Sequence, residues 1–464
     1  MGESRNEKDK VIILGGGLAG ITAAYYLKKS QIPFRLFEGS QRFGGRIWTL
    51  QDLNISSKYA DLGGEKIEME HAAIQGLAAE LKVGLSEISP SQDWLWFEKG
   101  KWISGNAEKQ ELLNLHKLFS RVSTEAYGST PQILNFQNRE QFSRAAILDR
   151  LSAEELFSRL RKDISPSMKL YLEQLIRFQW GVESSQISSL QIVHWMRDSF
   201  HPWNGKFLKV SGGASVLTQA LFDRVAGVLP ERFAKFGQKL IAIRKEESNW
   251  RLIFSTASGE VEVKTQKVIC TLPAQQLRAV DGWENLPLSD STRALFSNQN
   301  TGSHSQVIVG FPQRFWKNLK TLSSGGTALM DTAMQNFREA GVPPVELLSS
   351  VHGLIQSQVG GAEAEKVGPH SVAQLVRDLQ KLDLKWESKG IVAENVESIH
   401  NWKNYNWSQG SRVFRKPGQF QLFDLAAMNT DWVLAGEAHS SPYFGTMNGA
   451  VQSAIAAAKL FVKS

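Results

Sequence analysis

The 464-residue chain contains one cysteine, Cys270. A single thiol excludes an intrachain disulfide, a Cys-x-x-Cys redox pair and a thiolate metal site. Its setting, from Val268 to Pro273, is an apolar strand end, where a free cysteine behaves as a small hydrophobe. No stretch approaches 18 uninterrupted apolar residues, so no transmembrane helix is expected. The first ten residues are polar and charged and lack the apolar core of a signal peptide. The sequence has no internal repeat, low-complexity tract, P-loop, Ser-His-Asp arrangement or cluster of metal ligands, and metal is expected to play no part. Lys and Arg outnumber Asp and Glu by 53 to 46. They are scattered, however, and form neither a stripe nor a nucleic-acid-binding motif, so nucleic acid is not an expected partner. These absences leave a soluble cytoplasmic chain as the expectation. Its length exceeds what one hydrophobic core serves, which calls for two domains or one elaborated domain.

What is present begins at Val11. Val11 to Leu14 is a short apolar run of the kind buried in a parallel sheet. Gly15, Gly17 and Gly20 follow in the pattern G-x-G-x-x-G. The first allows a tight turn, the second lets a pyrophosphate approach the backbone, and the third lets a helix pack against the strand. A helix from about Leu18 to Ser30 would aim its N-terminal amides and positive dipole end at phosphates. Pro33 ends it, Phe34 to Phe37 reads as the next strand, and Glu38 stands where an acid accepts hydrogen bonds from a ribose diol. A glycine cluster alone is weak, but strand, helix and acid in this order identify a dinucleotide site. An acid at this position disfavours a 2′-phosphate, and with it NADP.

The remaining text divides into two kinds. Residues 1–89, 205–290 and 395–464 read as one discontinuous dinucleotide-binding domain. It includes a helix at 72–82, a strand and helix within 206–223, strands between 238 and 272, and a closing strand, loop and helix. Residues 90–204 and 291–394 read as a substrate-binding cap. Its first part is helix-rich and aromatic, with Trp94, Trp96, Trp102, Trp180, Trp195 and Trp203. An apolar strand is expected at Gln306 to Phe311, and 313–390 reads as loops and helices. The fold class is therefore α/β: a Rossmann-type domain with a discontinuous second domain of mixed sheet and helices.

Several separated motifs together resemble the flavin-containing amine oxidase family, whose broader relatives include monoamine, polyamine and L-amino-acid oxidases. They are the glycine loop, Glu38, Gly44-Gly45-Arg46, Asp61-Leu62-Gly63-Gly64, Val210-Ser211-Gly212-Gly213, Leu272-Pro273, Trp402, Leu434 to Glu437 and Gly445 to Ala450. The resemblance implies FAD lying across the discontinuous domain. Glu38 would serve the adenosine ribose and Arg46 the phosphates. Gly63, Gly64 and the adjoining Glu65 would approach the flavin, and Leu240 the adenine. Trp407 would supply an aromatic wall, and Gly436 and Glu437 would serve the pyrophosphate and ribityl chain. Thr446 and Met447 would begin a helix facing the flavin pyrimidine, where a helix N-terminus favours the charge of a reduced flavin. Monoamine oxidases tether flavin to a cysteine near the chain end. None stands there here, so FAD is expected to be non-covalent.

The resemblance fails at the substrate face. The family's lysine on the strand before a Phe-Trp pair becomes Gln306, counted back from Phe315-Trp316. Its two flavin-flanking aromatics become Arg412 and Thr446. These three are the candidate catalytic positions. An arginine facing the flavin would repel a simple cationic amine and attract a carboxylate bidentately. The expected reaction is transfer of a hydride equivalent from a C–N bond of a small molecule, anionic or amino-acid-like, to FAD, with oxygen or another acceptor reoxidising it. Two alternatives are C–C dehydrogenation of the protoporphyrinogen oxidase or carotenoid desaturase kind, and flavin binding without turnover. His439 and His194 read as structural.

Overall fold

The computed structural model describes residues 3–7, 9–51, 59–89, 96–103, 106–127, 139–198, 205–227, 233–316, 326–341, 353–381, 395–422, 431–440 and 443–462. Trp94 and Trp203 of the tryptophan-rich segment lie outside them.

Strand Val11–Leu14 is buried along its whole length. It pairs in parallel with Phe34–Phe37 on one side and Lys267–Cys270 on the other. Ala234–Lys235 and Trp432–Leu434 extend the ladder, so a five-stranded parallel sheet is assembled from distant parts of the chain. The two-residue period of the strand explains its all-apolar text. Val11 and Ile13 enter a core with helices Leu18–Lys29, Ser215–Ala226 and Met447–Val462. Ile12 and Leu14 enter a second core on the opposite face, with Leu252, Phe254 and Val263 of the antiparallel strands Asn249–Thr256 and Gly259–Thr265. Cys270 belongs to this second core, and burial pushes its thiol up to about 12. Helix Leu18–Lys29 lies close behind its strand because position 20 is glycine; a Cβ there would overlap the Gly15 carbonyl oxygen.

A seven-stranded mixed sheet forms the other main layer. Its order is Asn395–Asn401, His304–Phe311, Gly353–Gly360, Asn336–Glu339, Thr327–Met330, Trp96–Glu98 and Lys101–Ile103. Helices Asn106–Tyr127, Pro166–Trp180 and Ser189–Asp198 build an apolar core beside it around Trp96, Phe119, Leu172, Trp180 and Val193. Helix Pro166–Trp180 has every expected boundary signal: Ser165 caps the Met168 amide, Pro166 opens the first turn, and Gly181 closes it at φ +67°. Strand Asn395–Asn401, which the sequence division groups with the cofactor segments, is hydrogen bonded to His304–Phe311 in this sheet.

One region departs from its sequence reading. Residues 313–390, read as loops and helices, contain three strands of the seven-stranded sheet. The cause is polar burial. Asn336, Arg338, Glu339, Gln356 and Ser357 are all buried within these strands, so no apolar period is visible. Several of their polar groups find partners: Ser357 Oγ donates to the Met334 carbonyl (2.8 Å), the Gln358 amide donates to Asn336 Oδ1 (3.1 Å), and Arg314 pairs with Glu339 at 2.6 Å. Among the described residues, no helix is long and apolar enough to cross a membrane.

Candidate active site

A cavity of about 670 Å³ runs between the two sheets, outside the carboxyl ends of the parallel strands. That is where ligands bind in open parallel sheets. Around it stand Gly15, Gly17, Glu38, Gly44, Gly45, Arg46, Gly63, Gly64, Glu65, Leu240, Trp407, Gly436, Glu437, Thr446 and Met447, together with Gln306 and Arg412. Gly20 is absent from the lining, in keeping with its role as a packing position.

The parallel-sheet end is bounded mainly by backbone. Gly15 turns at φ +100°, a conformation that costs other residues free energy. Gly17 is extended, at φ −74° and ψ 179°, and a Cβ there would find nothing nearer than Gly45 Cα at 3.8 Å. The space beside Gly17 is thus clear of protein. Neither helix Leu18–Lys29 nor helix Met447–Val462 has an acid in its first turn, and Gly17 offers the former no side-chain cap. An uncapped, acid-free helix N-terminus suits an anion such as a pyrophosphate. Glu38 accepts hydrogen bonds from the Gly16 amide (2.6 Å) and the Ser40 amide (2.8 Å), which fix its carboxylate at the rim of this end. Arg46 forms an ion pair with Glu437 and donates to the Ser411 carbonyl at 2.8 Å. Gly63 is required by packing, since a Cβ would overlap the Arg46 carbonyl, and Gly64 lies against Met447. Trp407 packs over Gly39, beside Glu38. Clear glycine edges, free amides and a fixed acid fit FAD.

The opposite wall is bounded by side chains. Gln306 is buried and makes two side-chain hydrogen bonds: its Nε2 donates to Gln358 Oε1 (2.9 Å), and its Oε1 accepts from Gln356 Nε2 (3.0 Å). Gln356 Nε2 also donates to the Asp61 carbonyl (2.8 Å), and Gln358 Nε2 to the Phe178 carbonyl (2.8 Å). Gln306 thus belongs to a neutral amide network. Thr446 lines the cavity, but its hydroxyl is committed: it donates to the Tyr443 carbonyl (2.7 Å) and accepts from the Gly449 amide (3.0 Å), capping the last helix. Arg412 is held at the C-terminal end of helix Pro166–Trp180. Its Nη1 meets Gln179 O and Oε1 at 3.3 Å, and its guanidinium lies 5.6 Å from the Trp180 ring. It has no ion pair among the described residues, and its buried Nε has no hydrogen-bond partner. Burial lowers the guanidinium pKa from its ordinary value, while Glu437 and Glu68 act in the opposite sense.

Beneath this wall lies a charged cluster. Glu65 pairs with Lys209 and with Arg338 Nη2 (2.8 Å). Burial alone would raise its pKa, but the two cations outweigh burial and hold it at about 2. Burial and the nearby Glu65 raise Asp61 to about 6, although Thr49 Oγ1 and the Ala214 amide (3.0 Å) donate to it. The Glu65 carboxylate, read from sequence as a flavin neighbour, is thus engaged by protein cations.

Sequence reading missed Lys66, His71, His304, Gln358 and Phe178, all of which line the cavity. The available signal was position: Lys66 follows Gly63-Gly64-Glu65 directly. Its ammonium lies 5.7 Å from the Phe178 ring and 4.7 Å from Phe207. Burial, reinforced by Arg338, lowers it to about 8. His304 Nε2 meets the Arg177 (3.0 Å) and Phe178 (3.1 Å) carbonyls, while its Nδ1 is 2.6 Å from Ser411 Oγ. Burial drives both His304 and His71 down to about 4, so both are neutral near pH 7. His439 stacks on Phe296 at 5.3 Å, and burial lowers it to about 3.

Comparison with known proteins adds an independent line. The family described as flavin containing amine oxidoreductase matches residues 18–460. The flavin-dependent L-tryptophan oxidase RebO of Lentzea aerocolonigenes is 23% identical, across 98% of each chain. L-amino acid oxidase Bs29 of Bothriechis schlegelii is 20% identical, over 97% of this chain and 89% of the relative. Cyclohexylamine oxidase from Brevibacterium oxydans superposes with a TM-score of 0.80 at 17% identity, covering 98% of this chain and 99% of that one.

Proposed function

The chain belongs to the flavin-containing amine oxidoreductase family, and from that membership we propose that it oxidises the C–N bond of a small amine that also carries a carboxylate. It is an FAD-dependent oxidoreductase of the amine-oxidase kind, acting on small molecules. One observation carries the choice of substrate: Arg412 stands on the cavity wall with no ion pair among the described residues and a buried Nε without a hydrogen-bond partner. A cation held there by carbonyls and an aromatic face keeps its charge for a ligand. A planar guanidinium recognises a carboxylate in two parallel hydrogen bonds. A simple monoamine, itself cationic, would be repelled. The relatives named for L-tryptophan and L-amino acids support the same class.

FAD would be held by segments 1–89, 205–290 and 395–464, which contribute the glycines, Glu38, Arg46 and the last helix. The segments 90–204 and 291–394 would supply most of the substrate wall, with Lys66 and Arg412 reaching into it. The group would be bound without a covalent tether, because Cys270 lies in the sheet core and does not line the cavity. When bound, FAD would supply the acceptor for the hydride equivalent leaving the C–H bond of the carbon that bears the amine, as C=N forms and nitrogen loses a proton, and oxygen or another acceptor would then take the electrons. The chain's own contribution is placement. Arg412 fixes the carboxylate and so orients the adjoining carbon. Phe178 and Trp195 exclude water, and the Gln306–Gln358 pair offers fixed, neutral hydrogen-bonding groups.

The test is anaerobic bleaching of the FAD-loaded protein by L-amino acids and by the amines that remain when their carboxylate is removed. Bleaching by amino acids alone is expected. Bleaching by the amines at equal rates would overturn the carboxylate reading. Bleaching only by porphyrinogens or polyenes would transfer the assignment to C–C dehydrogenation.

A further inference from the structure

His71 and His304 both line the cavity, and they differ in what their ring nitrogens are left to do. Both nitrogens of His304 are taken up, one by the Arg177 and Phe178 carbonyls and the other by Ser411 Oγ. His71 is buried, and its Nδ1 accepts from the Glu68 main-chain amide at 3.1 Å. A main-chain amide only donates, so Nδ1 is the bare nitrogen and the proton of the neutral ring sits on Nε2. Among the described residues, Nε2 has no hydrogen-bond partner. Burial keeps the ring neutral near pH 7. His71 also stands at the start of helix Ala72–Leu81, whose positive dipole end disfavours a second proton. The wall thus holds a hydrogen-bond donor that carries no charge.

Its place beside Arg412 follows from a shared support. The Tyr443 ring meets the His71 ring edge-on at 5.4 Å, and the Tyr443 hydroxyl is turned to the Glu70 carbonyl at 3.3 Å. Two residues further on, Gly445 carries the Arg412 side chain: a Cβ there would lie 3.1 Å from Arg412 Nε. Two residues of chain span at most about 7 Å. Imidazole and guanidinium therefore border the same part of the cavity. A carboxylate has roughly four lone-pair sites, and a guanidinium occupies two of them. We propose that His71 is a second carboxylate-binding residue, its Nε2–H donating to the carboxylate that Arg412 holds. This inference rests on the carboxylate reading above and deepens it. The donor selects by its own need as well as by attraction. An ammonium or an apolar group at this place leaves a buried N–H without an acceptor, which costs free energy, whereas a carboxylate satisfies it. His71 thereby helps to separate an amino acid from the amine that remains when its carboxylate is removed.

The test is calorimetric binding of amine-free carboxylates (acetate, butyrate and phenylacetate) to the FAD-loaded protein. His71→Phe should weaken the best of them about tenfold, equivalent to about 1.4 kcal/mol. Glutamine carries its amide nitrogen as many bonds from Cβ as histidine carries Nε2, so His71→Gln should recover most of that loss. Both variants give up the acceptor for the Glu68 amide, and the difference between them reads the donor alone. Retained FAD absorbance in both reports an intact fold. Carboxylate affinity unchanged in His71→Phe, or lowered equally in the two variants, overturns the inference while the carboxylate reading stands. If the wild type binds none of the probes, or if Arg412→Met leaves their binding unchanged, the carboxylate reading falls and the inference falls with it.

Discussion

At one end of the cavity the boundary is backbone: Gly15, Gly17, Gly45, Gly63 and Gly436, with amides of a helix start and one fixed acid. At the other it is side chain: Gln306, Gln358, Lys66, Arg412, Phe178 and Trp195, drawn from distant segments. The first end offers a shape that many chains of this family need in common, because a dinucleotide must approach the main chain closely. The second offers charge and polarity carried by single side chains. The comparison sets a backbone-lined end, shaped for a dinucleotide, against a side-chain-lined wall whose chemistry single residues decide. A cofactor site tolerates little change in where its atoms lie, whereas a substrate wall changes its chemistry by exchanging single side chains on an unchanged sheet.

The sharpest way to break the comparison lies within the glycine loop itself. Gly20→Ala forces a Cβ onto the Gly15 carbonyl. It should cost about 3 kcal/mol or more and lower the melting temperature whether or not FAD is present. Gly17→Ala meets no protein atom within 3.5 Å and has a backbone conformation that alanine accepts. It should fold normally and lose FAD affinity by roughly tenfold or more, on the order of 1.4 kcal/mol. Equal thermal destabilisation of both variants, with FAD affinity kept in Gly17→Ala, would remove the distinction between packing glycine and cofactor glycine.

A smaller effect tests the wall through pH. Lys66 is lowered from 10.5 to about 8, first by burial and then by Arg338 and Lys209, with Glu68 and Glu65 opposing. The folded protein therefore sheds this proton more readily than the unfolded chain. Between about pH 8 and 10.5 the unfolded state binds more protons, so this group's contribution to stability rises with pH. Anion binding runs the other way, because the ammonium is lost over the same window. Titration of carboxylate affinity should show a decline centred near pH 8 in the wild type and none in Lys66→Met. The smallest expected effect is that of Gln306→Lys, which sets a cation among the glutamine amides. It should change the rate at which oxygen reoxidises the reduced protein by at least about twofold, about 0.4 kcal/mol in barrier. An unchanged stopped-flow rate would mean that position 306 does not face the reacting part of the cofactor.

How much of this was legible beforehand follows the same division. The glycine loop, Glu38 and the strand at Val11 were readable because each is a local pattern with a local cause. Gln306 lines the cavity because a single strand, His304–Phe311, carries it there. The strands at 327–360 were hidden because their interior residues are polar, and the hydrogen bonds that satisfy them come from partners out of local view. Lys66 was overlooked for a related reason. Its meaning depends on Phe178 and Phe207, more than a hundred positions away, and on what Glu65 does with its charge. Thr446 shows the converse: its place on the lining was readable from a motif, but the use of its hydroxyl as a helix cap required the backbone around it.

The measurement that tests the central claim most directly is a crystal structure of the FAD-loaded protein with a substrate-like carboxylate soaked in at saturating concentration. The expected result is a carboxylate accepting from the Arg412 guanidinium within about 3.2 Å, over the ring system of a flavin cradled by Gly17, Gly63 and Gly436. A carboxylate bound elsewhere, or an Arg412 turned away to pair with the cofactor phosphates, would contradict it.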